Sequence, residues 1–157
     1  MSHIRVLIVD DVMIFRKLLR KQLERRGVEQ IDEAQDGIQA LDIMKLKTYD
    51  VVIMDVMMPR MNGDVCVRAI REWEIANLRP KTPVILMSAD VLSPDNDVLS
   101  SGAAQQFFTK PLNIVRLGNA LRDVAMGSSH KGDWIKMIAK KSPTAKKTDE
   151  DTTLEIV

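Results

Sequence analysis

Hydrophobic positions recur along this chain in two rhythms. Three short runs, IRVLIV (4–9), VVIM (51–54) and PVILMSA (83–89), are almost continuously apolar. That pattern suits parallel strands buried on both faces. Two weaker runs, QIDEA (30–34) and QQFF (105–108), complete a set of five. Between the runs, apolar residues return at mixed three- and four-residue spacing, which predicts helices. Met13, Phe15, Leu18, Leu19 and Leu23 precede Gly27; Ile38, Leu41, Ile43, Met44 and Leu46 follow Gly37; Val65, Val67, Ile70, Trp73 and Ile75 follow Gly63. Ser93 is read as the cap of a fourth helix, with Pro94 at its first position and Asp95 in its first turn. NIVRLGNALRDVAMG (113–127) supplies a fifth from an Asn cap. Five strand–helix units over roughly residues 4–127 predict an α/β fold. Its parallel sheet is covered on both sides, with right-handed crossovers and the first, third and fourth strands at its centre.

Smaller expectations follow from the same pattern. Trp73 and Ile75 should pack locally, and Cys66 should be a small buried hydrophobe. Met57, Met58 and Met61 should pack in the core or loop rather than form a soft contact surface. Beyond residue 127 the rhythm stops. DWIKMIAKK (133–141) reads as a short amphipathic helix with Trp134, Met137 and Ile138 on one side, while SPTAKKTDEDTTLEIV has no apolar period and is expected to be disordered. Residues 1–127 therefore read as one domain and 128–157 as a C-terminal extension. Thirty residues cannot build a second core, so any output is expected from a partner, and a stand-alone chain is the expected arrangement.

Composition narrows the class without naming it. Lys plus Arg number 23 and Asp plus Glu 22, in a chain that is 45% hydrophobic and 29% charged. No basic tail points to nucleic acid, and no coat of charge points to a membrane surface. No stretch approaches the ~20 apolar residues that span a bilayer, and the N-terminus lacks a signal-peptide pattern. The lone Cys66 excludes an intrachain disulfide. Cytoplasm is the expected location.

The chemistry-bearing residues leave the strands. In an open parallel sheet, ligands collect at the carboxyl ends of the strands. There the first strand runs into Asp10 and Asp11, the third into Asp55, the fourth into Ser88 and the fifth into Lys110 before Pro111. Singly, each has a plain structural role: a helix cap, a strand-end hydroxyl, a lysine in a turn. Together they place three carboxylates, a hydroxyl and an ammonium at one edge. Such crowded acids repel one another, and an oxygen-seeking divalent cation such as Mg2+ relieves that conflict while leaving room for a phosphoryl oxygen. Phosphoryl transfer onto a carboxylate suits the arrangement, and Asp55 is the candidate nucleophile.

These residues resemble the receiver domain of two-component response regulators, of the single-domain chemotaxis or hybrid-kinase type. LIVDD resembles the family's first strand with its acidic pair, and DVMMPRMNG resembles its phospho-acceptor motif, with Pro59 four and Gly63 eight residues past Asp55. MSA carries Ser88, FFTKP carries Lys110–Pro111, and AQDGIQAL resembles the second loop and helix. The resemblance spans roughly residues 4–126. It implies a (βα)5 flavodoxin-like doubly wound sheet of five parallel strands in order 2-1-3-4-5.

It also implies roles. Asp55 takes a phosphoryl group from a phosphohistidine on a sensor histidine kinase or histidine phosphotransfer protein. Asp11, Asp55 and the Met57 backbone carbonyl hold Mg2+ directly, with Asp10 acting mainly through water. Ser88 and Lys110 bind phosphoryl oxygens, Ser88 and Phe107 move on activation, and Met57 and Asp90 tune dephosphorylation, expected to be moderately slow. The Lys110–Pro111 peptide is expected to be cis. Phe107 stands where many receivers carry tyrosine, so a hydroxyl-based readout is absent. An unidentified downstream protein is the implied target, and a homodimer on activation is compatible with the resemblance. Two other readings stand beside this one. A phosphohydrolase passing through an aspartyl phosphate would want a second carboxylate two residues past Asp55, where Met57 stands. A receiver-like module that is never phosphorylated would be expected to lack Asp55, Asp11 or Lys110.

Overall fold

The computed structural model describes residues 4–90 and 96–127. The helix start at Ser93, Pro94 and Asp95, and the extension from 128 with its expected helix over 133–141, lie outside the described residues. Within them the chain alternates: β1 (Arg5–Val9), α1 (Met13–Arg25), β2 (Gln30–Ala34), α2 (Gly37–Leu46), β3 (Val51–Asp55), α3 (Gly63–Ala76), β4 (Val84–Ser88), α4 (Asp97–Ser100), β5 (Gln106–Thr109) and α5 (Ile114–Gly127). The five strands are parallel and lie in the order β2-β1-β3-β4-β5, as the resemblance implied.

Period-two alternation sorts each strand's side chains onto two cores. Val6, Ile8, Val51, Ile53, Ile85 and Met87 face one side, where Leu19 and Leu23 of α1 and Leu117, Ala120 and Leu121 of α5 pack against them. Leu7, Val9, Val52, Met54, Val84 and Leu86 face the other, under Ala40 and Met44 of α2, Cys66, Val67 and Ile70 of α3, and Val98 of α4. Every residue of β3 and β4 is buried. At ~1.5–3 kcal/mol for each large apolar side chain fully removed from water, these central strands dominate the stability. A charge is tolerable only where they end.

Two helices bury polar residues that their apolar pattern hides. In α1 the inward stripe is Arg16, Leu19 and Leu23, whereas Met13 is 64% exposed. In α3 it is Cys66, Val67, Ile70 and Glu74. Ile75 does not pack locally as expected; it is 78% exposed because it falls off that stripe. Trp73 is partly buried and lies under the Arg79 guanidinium, 5.8 Å from the ring centroid. Asp36 caps α2 by accepting the Gln39 N–H at 2.8 Å, and this bond, with help from Arg60, holds its carboxyl below the ordinary carboxylate value despite burial. Asn113 caps α5, accepting from the amides of Val115 and Arg116 at 2.9 and 3.0 Å.

Candidate functional site

At the carboxyl edge, β1 and β3 deliver acids and β5 delivers an ammonium. Asp10 follows β1 and is 1% exposed. Its Oδ1 accepts the Val12 N–H at 2.9 Å, and its Oδ2 accepts from Lys110 Nζ at 2.9 Å. Asp11, one residue on, is exposed. Asp55 closes β3 at 6% exposure; its Oδ2 lies 3.3 Å from the same Lys110 Nζ, and its Oδ1 accepts the Met57 N–H at 3.3 Å. Lys110 follows β5, with its own N–H on the Ser88 carbonyl at 2.7 Å and its Nζ 4.3 Å from the centre of the Phe15 ring. The Lys110–Pro111 peptide is cis, as expected.

One carboxylate oxygen from each of Asp10, Asp11 and Asp55 falls within 4.8 Å of the others. Three carboxylates against one ammonium leave a surplus of two negative charges. Burial raises the Asp55 carboxyl above its ordinary value, Lys110 pulls it back and Asp10 pushes it up again. Clustered hard oxygens with excess negative charge match the donor chemistry of Mg2+.

The loop after Asp55 folds tightly over the strand end. A Cβ on Gly63 would collide with the Asp55 carbonyl oxygen, so only glycine fits where the Gly63 N–H reaches the Val56 carbonyl at 2.8 Å. The three loop methionines divide. Met58 is 6% exposed and Met61 packs beside the α3-side core, but Met57 is 61% exposed. Met57 is therefore not a packing residue, contrary to expectation; the turn aims its side chain outward.

Ser88 ends β4, one residue past Met87, the register partner of Asp55. It is 1% exposed, and its Oγ accepts the Asp90 N–H at 3.2 Å; Asp90 itself is exposed. Phe107, paired in register with Leu86, is partly buried on the α2–α4 side of the sheet.

Two arginines near the site were missed in the sequence. Buried Arg16 donates from Nη1 to the Asp10 carbonyl at 2.8 Å. Its place at 16 before Leu19 and Leu23, on the inward stripe, was the available signal. Arg60, in the acceptor loop, bonds the carboxylate of Asp36; nothing in the local pattern announces that pair.

Comparison with known proteins gives this geometry a family. Residues 6–122 match the model of the response regulator receiver domain. A rice protein, two-component response regulator ORR41, is 36% identical over 118 residues, covering 73% of this chain and 89% of its own. The sensory/regulatory protein RpfC of Xanthomonas campestris is 32% identical over 124 residues, which are 79% of this chain but 17% of that protein. The chain thus spans a small fraction of such larger relatives. Among solved structures, response regulator TrrA of Thermotoga maritima, in complex with Mg2+ and beryllofluoride, superposes with a TM-score of 0.65 at 31% identity, covering 77% of this chain and 98% of that one. No helix among the described residues is long and apolar enough to cross a membrane. The chain belongs to the response regulator receiver domains, the signalling domains of two-component phosphorelays.

Proposed function

We propose that Asp55 is the phosphoacceptor, taking its phosphoryl group from a phosphohistidine of a sensor histidine kinase or histidine phosphotransfer protein. An Asp55 oxygen forms a bond to phosphorus while the phosphorus–nitrogen bond breaks and its electron pair returns to the imidazole. The Lys110 ammonium, already between Asp10 and Asp55 at 2.9 and 3.3 Å, follows the charge onto the phosphoryl oxygens, and the Ser88 hydroxyl donates to one of them. Asp11, Asp55 and the Met57 carbonyl would hold Mg2+, with Asp10 beside them. Bound there, the cation neutralises negative charge that Lys110 alone leaves uncompensated. Phosphorylation adds roughly −1.5 to −2 charge, and drawing Ser88 toward it frees space for Phe107 to move inward. That movement alters the surface offered to a downstream protein. Phe107 carries no hydroxyl, so the readout is one of shape.

The observation that carries this reading is the single ammonium shared by two buried carboxylates, with a third within 4.8 Å. The Mg2+ and beryllofluoride complex of the Thermotoga relative supports it. Autodephosphorylation is expected to be moderately slow, because the Met57 side chain cannot orient an attacking water and that role falls to Asp90; loss of the label within a second or two would contradict this. The same lack of an acid at Met57 weighs against phosphohydrolase turnover. Incubation with acetyl phosphate tests the assignment by intact mass. The wild type should gain one phosphoryl group only with Mg2+, and Asp55→Asn should gain none; equal labelling of both proteins would place the acceptor elsewhere.

A further inference from the structure

We infer that Arg60 is a positioning residue: through its ion pair with Asp36 it holds the acceptor loop so that Met57 presents its backbone to the cation site. The inference rests on the phosphoacceptor reading above and concerns a residue to which that reading gives no role.

Arg60 adopts φ +64°, the left-handed region that a side chain with a Cβ enters at a cost. Glycine would take that conformation without strain, so something must hold arginine there. The Arg60 guanidinium donates to Oδ2 of Asp36, whose side chain is 2% exposed although the Arg60 side chain is 65% exposed. Asp36 cannot follow a moving loop, because its other oxygen is fixed on the Gln39 amide at the start of α2. The anchor is therefore the helix, and the loop is what it restrains.

A neighbouring contact points the same way. A Cβ on Gly37 would lie 2.9 Å from Met61 Cγ, 3.0 Å from the Met61 carbonyl oxygen and 2.9 Å from Cys66 Cβ. The Cys66 thiol also donates to the Gly37 carbonyl at 3.2 Å. The first turn of α2 thus presses on both the loop and α3. Together with the Val56–Gly63 backbone bond of 2.8 Å, the loop is pinned at its two ends and at Arg60. Met57 lies between the pins with its side chain in solvent, and its amide reaches Asp55 only at 3.3 Å. Its backbone position depends on loop closure, which Arg60 supplies.

Arg60→Gly separates positioning from folding, because it deletes the ion pair while relieving the backbone strain. Its melting temperature should stay near that of the wild type. Its affinity for Mg2+, read by calorimetry, should fall about tenfold, the low end for loss of an outer partner of a metal site, and acetyl phosphate should label it correspondingly more slowly. Asp36→Asn, which keeps the cap but loses the charge, should show the same weakening, and the double variant should be no weaker than either single one. Arg60→Lys should recover part of the affinity. Exchange of the Gly63 amide should quicken in Arg60→Gly. If both single variants bind Mg2+ as tightly as the wild type, with Gly63 equally protected, Arg60 is a surface residue and the inference is overturned. If the wild type itself binds no Mg2+, the phosphoacceptor reading fails first and takes this one with it.

Discussion

The two edges of the sheet treat charge in opposite ways. At the amino edge, residues preceding β3, β4 and β5 line a cavity of about 450 Å3 with Tyr49, Trp73, Glu74, Arg79 and Lys81. Glu74 is 3% exposed, yet it accepts from Arg71 Nη1 and from the Thr82 amide, each at 2.8 Å. In the middle of β2, Asp32 likewise accepts from the Tyr49 hydroxyl at 2.6 Å and from Lys47 at 3.2 Å. Each of these acids has its own donors. At the carboxyl edge, Asp10 and Asp55 divide one ammonium and Asp11 has no share in it among the bonds described. The same chain that satisfies a buried glutamate completely leaves its strand-end aspartates in conflict. Such conflict is the pattern expected of a functional site, and a ligand that brings positive charge would resolve it.

Removing an acid should therefore have opposite consequences at the two edges. The largest effect is expected from Asp55→Asn: phosphoryl uptake is abolished, while metal-free stability in urea rises because one repelling charge is gone. A fall in stability would break the comparison. Glu74→Ala comes next. It leaves the Arg71 guanidinium, only 13% exposed, without its carboxylate and held by the Ala103 carbonyl alone, and should cost about 3–5 kcal/mol of unfolding free energy with Mg2+ affinity unchanged. Asp11→Asn should leave stability nearly untouched and weaken Mg2+ by about tenfold, which corresponds to roughly 1.4 kcal/mol in a calorimetric titration.

The smallest effect belongs to pH. The Tyr49 hydroxyl bond, ahead of the contribution of Lys47, holds the folded Asp32 carboxyl below its ordinary 3.8. A group lowered in this way stabilises the fold above its unfolded value, and that contribution fades as pH falls from 3.8 through the folded value. Tyr49→Phe should flatten this acid limb and cost under about 1 kcal/mol at neutral pH, since Asp32 is partly solvated. Unfolding midpoints measured on both proteins at neutral pH and below 3.8 would show it.

How much of this was legible depended on whether the determinant was local. The runs at 51–54 and 83–89 are almost continuously apolar because β3 and β4 are buried on both faces, so their place at the centre could be read directly. The strand-end acids were legible for a related reason: parallel strands put all their carboxyl ends at one edge, so sequence position became spatial position. The helices misled where a charged residue occupies the buried stripe. Arg16 and Glu74 sit inward because the Asp10 carbonyl and Arg71 receive them, and an apolar count assigned that role to Met13 and Ile75 instead. The Arg60–Asp36 pair was beyond reach, since it joins residues 24 apart through a loop conformation that no arginine advertises.

The surplus of negative charge at the carboxyl edge is most directly tested by titrating the wild-type protein with Mg2+ at fixed ionic strength. The geometry predicts saturable binding of one ion per chain, weakened by Asp11→Asn and by Asp55→Asn but not by Glu74→Gln. An absence of saturable binding, or binding that survives loss of both aspartates, would contradict it.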